Sequence, residues 1–197
     1  MFTLPEWTWD FHGHRCPFMP IGFRMGMVML KALGVERAQD HQYFIESELG
    51  VGHPQTCLMD GLQAATGCTY GKLMMERVNY GKLAATLWTP ENGSIRVAIK
   101  PEFSDKLGKY EFFEYRKKGV EPSQIPELVR LEVINIVLNA TDDEMFNMLN
   151  LPNYQHEKIK GSFNKAKCEG CGEYVFERYV RIKDGKQLCI PCSGYKP

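Results

Sequence analysis

Residues 83–100 have the sequence LAATLWTPENGSIRVAIK, which gives the clearest indication of the fold class. Residues 83–89 and 95–100 are mostly apolar and β-branched or aromatic, a composition that favours strands. Glu91, Asn92 and Gly93 lie between the two runs and are typical turn residues. The stretch therefore predicts two strands joined by a turn, and a domain that contains a sheet.

The sequence on either side of this stretch adds further strands and helices. Strands are expected at residues 43–49 and 73–80. Helices are expected, in chain order, at residues 17–33, 55–66, 125–139 and 141–150. The first ten residues are expected to form an arm that Trp7 and Trp9 anchor. Together these elements predict an α+β fold.

The helix expected at residues 125–139 is apolar over most of its surface. A surface helix of a monomer keeps one polar face. We therefore expect a homodimer, with this helix or its neighbours at or under the interface.

The composition of the chain excludes several classes of protein. Hydrophobic residues make up 44% of the 197 residues, which is enough for a sizeable core and argues against disorder. The formal net charge is +0, so neither nucleic acid nor a membrane is expected as a partner. Residues 1–156 carry a net charge of −4 and residues 157–197 a net charge of +4, which marks a separate basic tail. We expect domains at residues 1–155 and 156–197.

The first ten residues lack the basic start and apolar run of a secretory signal. No apolar stretch approaches the roughly 18 residues that a membrane span requires. Four of the seven cysteines form two C-x-x-C pairs, which in such a chain indicate metal rather than disulfides. We expect a soluble, cytoplasmic protein.

The two C-x-x-C pairs are Cys168 with Cys171 and Cys189 with Cys192. Their separation matches a known spacing of structural zinc sites. Four thiolates fill a tetrahedral shell and leave no open position, so the expected site is structural. Zinc binding would also supply free energy that so short a unit cannot gain from its core. Two redox dithiols, a disulfide pair or an iron–sulfur cluster are the alternatives.

A second group of metal-ligating residue types lies near the N-terminus, at His12, His14 and Cys16. In an extended backbone these three alternate positions point to the same side, so two imidazoles and one thiolate would converge. Cys57 lies near the start of an expected helix, where free N–H groups favour the thiolate, and Asp60 shares its face. The pattern predicts a metal site or a reactive thiol; the alternative is that these residues are simply packed and hydrogen-bonded.

Two other residues are weaker candidates for this site. His53 lies in a Gly-rich loop close to Cys57 in sequence, and loops of this kind often line sites. Cys68 follows the Gly that ends the expected helix. The methionines at positions 19, 25, 27 and 29 are expected to fill the core rather than to bind copper.

Two motifs resemble the E-subunit family of formylmethanofuran dehydrogenase. The first is FHGHRCP at residues 11–17, followed by GFRMG at residues 22–26. The second is CLMDGLQAATGCTYGK at residues 57–72, and YGK at residues 80–82 resembles a third, shorter element. The likeness covers residues 10–150, and such proteins often carry a C-terminal zinc-binding unit.

The resemblance implies a mixed sheet covered by helices, followed by a small unit like a treble clef or zinc ribbon. It also implies a second metal site at His12, His14, Cys16 and Cys57, with Cys68 less certain. Thiolate and imidazole ligands together favour zinc, nickel or iron at that site. One departure is Phe18, which stands where the family usually has Gly and so restricts the backbone beside the site.

The sequence is compatible with three functions. The first is a metal-binding accessory protein that serves a molybdenum or tungsten redox enzyme or its cofactor supply. The second is a metal- or thiol-dependent enzyme whose active site uses His14, Cys16 and Cys57. The third is a module in which the basic zinc unit binds a protein or nucleic acid. Four protein ligands on the N-terminal metal would favour the first function, and three plus water the second.

Overall fold

A five-stranded sheet forms the centre of the first part of the chain, in the order β2-β1-β3-β4-β5. The computed structural model describes residues 2–52, 55–157 and 161–195. β1 pairs with β2 in parallel, and all other neighbouring strands are antiparallel. The expected mixed sheet is confirmed. The strands are β1 Phe44–Ser47, β2 Met75–Arg77, β3 Ala84–Thr89, β4 Gly93–Ile99 and β5 Phe146–Asn150.

The hairpin predicted at residues 83–100 is present as β3 and β4. Leu87 lies opposite Ile95, and Thr89 lies opposite Gly93 at the turn. Gly93 has a φ of 78°, which a residue without a side chain adopts at no steric cost. The hairpin is therefore the middle of the sheet, as its apolar composition indicates.

Seven helices accompany this sheet within the described residues. They are α1 Trp7–His12, α2 Phe18–Leu33, α3 Cys57–Thr66, α4 Pro101–Leu107, α5 Glu111–Lys117, α6 Glu127–Asn139 and α7 Asp142–Met145. α2 ends at Gly34 and α3 at Gly67, both in the left-handed conformation that favours glycine at these positions. The α+β class is confirmed.

α2 and α3 approach each other closely because glycines line their contact. A Cβ on Gly61 would lie 2.3 Å from the carbonyl oxygen of Met19, and one on Gly22 would lie 2.0 Å from that of Leu58. Met19, Met25 and Met29 are fully buried, as expected of core filler, whereas Met27 is 42% exposed. The close contact fixes the start of α3 against the start of α2, which carry the candidate site.

The structure corrects the expected arm at the N-terminus. Residues 7–12 are helical, and Trp9 is buried in the core while Trp7 is 49% exposed. Trp9 packs into the hydrophobic core and so stabilises this short helix. The expectation of an arm did not take this burial into account.

The expected helix at residues 141–150 is also corrected. Thr141 and Glu144 form the predicted capping box, but α7 ends at Met145. Residues 146–150 then pair with β4, Phe146 opposite Ile99. Hydrogen bonds to the free edge of β4 outweigh the local preference for helix in this segment.

α6 buries only part of its apolar surface in the described structure. Val133, Ile134 and Val137 are buried, but Leu128 is 83% exposed. The homodimer expected from this helix stays a prediction.

The chain divides into two compact units, Met1–His156 and Glu157–Pro197. The described residues of the second unit, 157 and 161–195, form two hairpins, a 3-10 turn at Glu177–Tyr179 and one short α-helix. Its elements are β6 Lys165–Lys167, β7 Tyr174–Phe176, β8 Arg181–Lys183, β9 Lys186–Leu188 and α8 Ile190–Ser193. Across the described residues of both units, no helix is long and apolar enough to cross a bilayer.

Candidate metal centres

Four side chains converge between the starts of α2 and α3. His12, His14, Cys16 and Cys57 each offer one ligand atom, and these atoms all lie within 4.8 Å of one another. The Nε2 atom of His12 is 3.4 Å from the Sγ atom of Cys16. Sulfur and nitrogen ligands of a tetrahedral zinc ion are about 3.6 Å apart. This pair is therefore spaced about as two ligands of one tetrahedral ion are.

The backbone brings the first three donors together in a way that the sequence did not predict. His12 is the last residue of α1, and Gly13 has a φ of 87°. The chain therefore reverses after the helix instead of running extended through His12, His14 and Cys16. The His12 and His14 rings lie 4.2 Å apart, and Cys16 is buried just before α2.

Cys57 comes from a different segment and is the first residue of α3. Its position at the helix N-terminus is the one expected, with free backbone N–H groups nearby. Gly61 follows one turn later and permits the close approach to α2. The glycine contact therefore determines how near Cys57 lies to Cys16.

Asp60 and Gln63 support the site from the same side of α3. The Nδ1 atom of His12 lies 2.8 Å from Oδ2 of Asp60. Gln63 donates a hydrogen bond from Nε2 to Oδ1 of Asp60 and accepts one from the backbone N–H of Tyr70. A carboxylate on Nδ1 holds a proton there, so Nε2 is the nitrogen that would bind an ion once the ion displaces the Nε2 proton. The sequence placed Asp60 beside Cys57 but carried no sign of its contact with His12.

Electrostatics make Cys57 the thiolate of this group. A hydrogen bond from the Cys16 thiol and the neighbouring His12 lower the pKa of Cys57 to about 4, against the opposing effect of burial. The same hydrogen bond to Cys57, together with burial, raises the pKa of Cys16 well above its usual range. In the metal-free protein, Cys16 therefore keeps its proton while Cys57 is ionised at neutral pH.

The two histidines differ in charge for similar reasons. Burial acts to lower the pKa of His12, but hydrogen bonds to Asp60 and Cys57 outweigh it and raise this pKa to about 9. Burial and the nearby charge of His12 lower the pKa of His14. His14 is thus a neutral imidazole, the form that binds metals.

A further observation indicates that these four residues suit a transition metal. The Nε2 atom of His14 is buried and has no hydrogen-bond partner in the described part of the chain. An unpaired buried polar atom is costly, and a metal ion would satisfy it. Two imidazoles and two thiols suit zinc, nickel or iron(II) rather than magnesium or calcium.

The remaining candidates of the first unit lie away from this group or outside the described residues. Cys68 is fully buried but is not among the four converging residues, and burial raises the pKa of its thiol to about 11. His53 lies outside the described residues.

The tail brings its four cysteines together. Ligand atoms of Cys168, Cys171, Cys189 and Cys192 lie within 4.8 Å of one another. The Sγ atoms of Cys171 and Cys189 are 3.9 Å apart, close to the about 3.8 Å of two thiolates on one tetrahedral zinc ion. Backbone N–H groups, including that of Cys189, donate to the Cys168 sulfur and lower its pKa to about 6. These bonds stabilise the thiolate that zinc requires.

Comparison with protein families gives two matches, which lie one after the other. The model described as "FmdE, Molybdenum formylmethanofuran dehydrogenase operon" matches residues 11–147. The model described as "Prokaryotic dksA/traR C4-type zinc finger" matches residues 161–196. The C4 zinc finger predicted from the cysteine spacing is confirmed, and the family match contains all four donors of the N-terminal group.

Two individual proteins are also similar to this chain. A curated relative from Archaeoglobus fulgidus, named "Probable S-adenosyl-L-methionine-binding protein", is 30% identical over 196 residues. The match covers 94% of this chain and 51% of the relative, so the chain spans about half the length of the relative. The crystal structure of a tungsten formylmethanofuran dehydrogenase FmdE-like protein from Syntrophus aciditrophicus has a TM-score of 0.58 and 22% identity. It covers 94% of this chain and 88% of that chain, and it supports the fold alone.

Proposed function

Since the chain belongs to the FmdE family and carries a C4-type zinc finger, we propose that it is an accessory protein with two metal sites. The tail holds a structural zinc ion, and the N-terminal group holds a second ion of zinc, nickel or iron. The protein serves a molybdenum or tungsten redox enzyme, or the supply of its cofactor.

One observation carries this proposal: four protein donors, rather than three, converge near the starts of α2 and α3. Catalytic zinc sites usually have three protein ligands and keep one position for water, whereas structural sites are closed. Two thiolates and two imidazoles complete a tetrahedral shell. A bound ion would supply a crosslink between the turn after α1 and the start of α3.

The link to a redox enzyme rests on the family. The description of the matched family names the operon of molybdenum formylmethanofuran dehydrogenase, and the similar solved structure is named after the tungsten enzyme. We infer that the partner is an enzyme of this class and that the protein works in the cytoplasm, where its C-x-x-C pairs stay reduced. The catalytic chemistry belongs to that partner.

A metal- or thiol-dependent enzyme with its active site at His14, Cys16 and Cys57 is the second candidate. It is favoured by the Cys57 thiolate beside a protonated His12, the arrangement of an activated nucleophile.

Cobalt substitution separates the accessory protein from the enzyme. The spectrum of the Co²⁺-loaded full chain, minus that of Cys57→Ala, isolates the N-terminal site. We expect intense tetrahedral bands that added azide does not shift, because four protein ligands leave no open position. Bands that shift with azide would show an open or water-filled position and would support the enzyme instead.

The partner is tested by affinity purification of the tagged full chain from its native cells. We expect a molybdenum- or tungsten-containing enzyme to be recovered, as measured by metal analysis of the eluate. Recovery of neither metal, under conditions that preserve the zinc of the tail, would contradict the association.

A further inference from the structure

The β6–β7 hairpin of the tail places two lysines and two aromatic rings on one face. Lys165 lies opposite Phe176, and Lys167 lies opposite Tyr174. Residues directly opposite each other, and residues two apart on one strand, share a face of a sheet. These four residues therefore form one surface, the Lys–aromatic face.

The rings of the Lys–aromatic face are open to solvent. Tyr174 is 68% exposed and Phe176 is 51% exposed, and both lysines are exposed as well. The Nζ atom of Lys165 lies 4.5 Å from the centre of the Tyr174 ring. Phe163, which precedes β6, is 96% exposed. Aromatic side chains this exposed contribute little to the core of the unit. A group of them on one surface is typical of a binding site.

The carboxylates that flank β7 are directed to other groups. The Glu177 carboxylate accepts a hydrogen bond from Ser162 Oγ, and the Glu173 carboxylate lies 3.8 Å from the Sγ atom of Cys171. The face itself carries two positive charges, in a tail whose net charge is +4. An anionic ligand with flat apolar groups matches this surface.

We propose that the Lys–aromatic face binds single-stranded nucleic acid. Bases would stack on Tyr174 and Phe176, and backbone phosphates would pair with Lys165 and Lys167. Stacking platforms next to basic groups are the usual means by which proteins bind single strands without sequence preference. Double-stranded DNA hides its base faces, so it lacks the groups that the two rings would contact.

This proposal departs from the expectation drawn from the net charge of the whole chain. A zero total conceals the basic tail, and the sequence alone does not show that Lys165, Lys167, Tyr174 and Phe176 share a face. The strand register supplies that information. The proposal is independent of the N-terminal metal site and goes beyond the accessory function.

The test uses the full chain with zinc bound and a 12-nucleotide oligouridylate or oligothymidylate labelled with fluorescein. Binding is followed by fluorescence anisotropy between low and moderate salt. Tyr174→Ala and Phe176→Ala are each expected to weaken binding about 5- to 150-fold, as loss of one stacked base does. Lys165→Gln is expected to lower the slope of log affinity against log salt by about 0.7, the contribution of one phosphate contact on a single strand.

Matched control variants lie in the same unit but outside the β6–β7 hairpin. Tyr179 is another aromatic residue that is about half exposed, and Lys186 is an exposed lysine on β9. Tyr179→Ala and Lys186→Gln are expected to leave the affinity and the salt slope unchanged. Zinc content of every variant is measured, so that a loss of fold is distinguished from a loss of contact.

Four results would overturn the proposal. The first three are no binding of either oligonucleotide at low salt, equal losses in the control variants, and equal affinity for a duplex of the same length. The fourth is binding that disappears only when zinc is lost, because the fold of the tail, rather than this face, would then be responsible.

Discussion

The Nδ1 atom of His12 lies 2.8 Å from Oδ2 of Asp60, a contact between residues 48 positions apart in the chain. His12 lies at the end of α1 and Asp60 in the first turns of α3, so the bond ties together the two segments that supply the donors. Its orientation leaves Nε2 of His12 directed at Cys16, at 3.4 Å from the sulfur.

Replacing the carboxylate tests the importance of this bond. Asp60→Asn is expected to weaken metal binding at the N-terminal site by about 10- to 100-fold, because the outer partner of a histidine ligand fixes its tautomer and orientation. Competition with a chromogenic chelator measures the change. Asp105→Asn, an exposed carboxylate on α4, serves as the control and is expected to bind metal as the wild type does.

The glycine contact between α2 and α3 predicts a change in stability. Gly61→Ala is expected to lower the free energy of unfolding by about 1–3 kcal/mol or more, because the added methyl would overlap backbone atoms of α2. Urea denaturation measures this loss. A Cβ on Gly71 would meet nothing within 4 Å, so a loss of similar size in Gly71→Ala would contradict the argument from packing.

The ionisation of Cys57 predicts an unusual pH dependence in the metal-free protein. A pKa of about 4 means that the thiolate is present at any higher pH and is lost only as the pH falls through that value. Alkylation of Cys57 by iodoacetamide should therefore be nearly constant between about pH 5.5 and 8, whereas an ordinary thiol reacts about tenfold faster for each pH unit over this range. Peptide mass spectrometry measures each cysteine separately.

Two controls accompany the alkylation experiment. Cys68, whose pKa is raised to about 11 by burial, should stay unmodified over the same range. His12→Ala removes a neighbour that stabilises the thiolate, so Cys57 should then become more dependent on pH. A Cys57 rate that rises with pH in the wild type as an ordinary thiol does would refute the assignment.

The exposed leucine of α6, Leu128, predicts assembly. Leu128 is 83% exposed on a helix whose buried residues lie on one side, and we expect a homodimer that covers it. Light scattering at micromolar concentration should give twice the 22.6 kDa mass of the chain, and Leu128→Arg should shift the protein towards monomer. Leu73→Arg, at a site that is 79% exposed outside α6, should not; a monomeric wild type would reject the prediction.

Much of the fold can be predicted from the sequence because turn residues and helix-ending glycines are local signals. Turn residues between apolar runs located β3 and β4, and glycines ended α2 and α3 where expected. α4 and α5 were not predicted, although Pro101 at a helix start and the buried pair Phe103 and Leu107, four residues apart, provided a signal for α4. β5 was read as helix because only its partner strand makes it extended.

The candidate site likewise has features that the local sequence predicts and features that depend on contacts between distant residues. Residue type and spacing grouped His12, His14 and Cys16, and the resemblance of the second motif added Cys57 as a ligand. The reversal at Gly13 and the bond from His12 to Asp60 depend on how α1 and α3 pack, which no local pattern encodes. The extended backbone assumed for the first motif was wrong, although the donors that it grouped do converge.

Metal content measured on the full chain shows whether the protein holds two ions. Protein purified with zinc, nickel and iron available, freed of weakly bound ions and analysed by mass spectrometry, should hold two ions per chain. Cys57→Ala and Cys171→Ser should each hold one, the double variant none, and Cys68→Ala two, because Cys68 belongs to neither group. A wild type that holds one ion, loses it in Cys171→Ser, and keeps it in Cys57→Ala even after reloading would contradict the account.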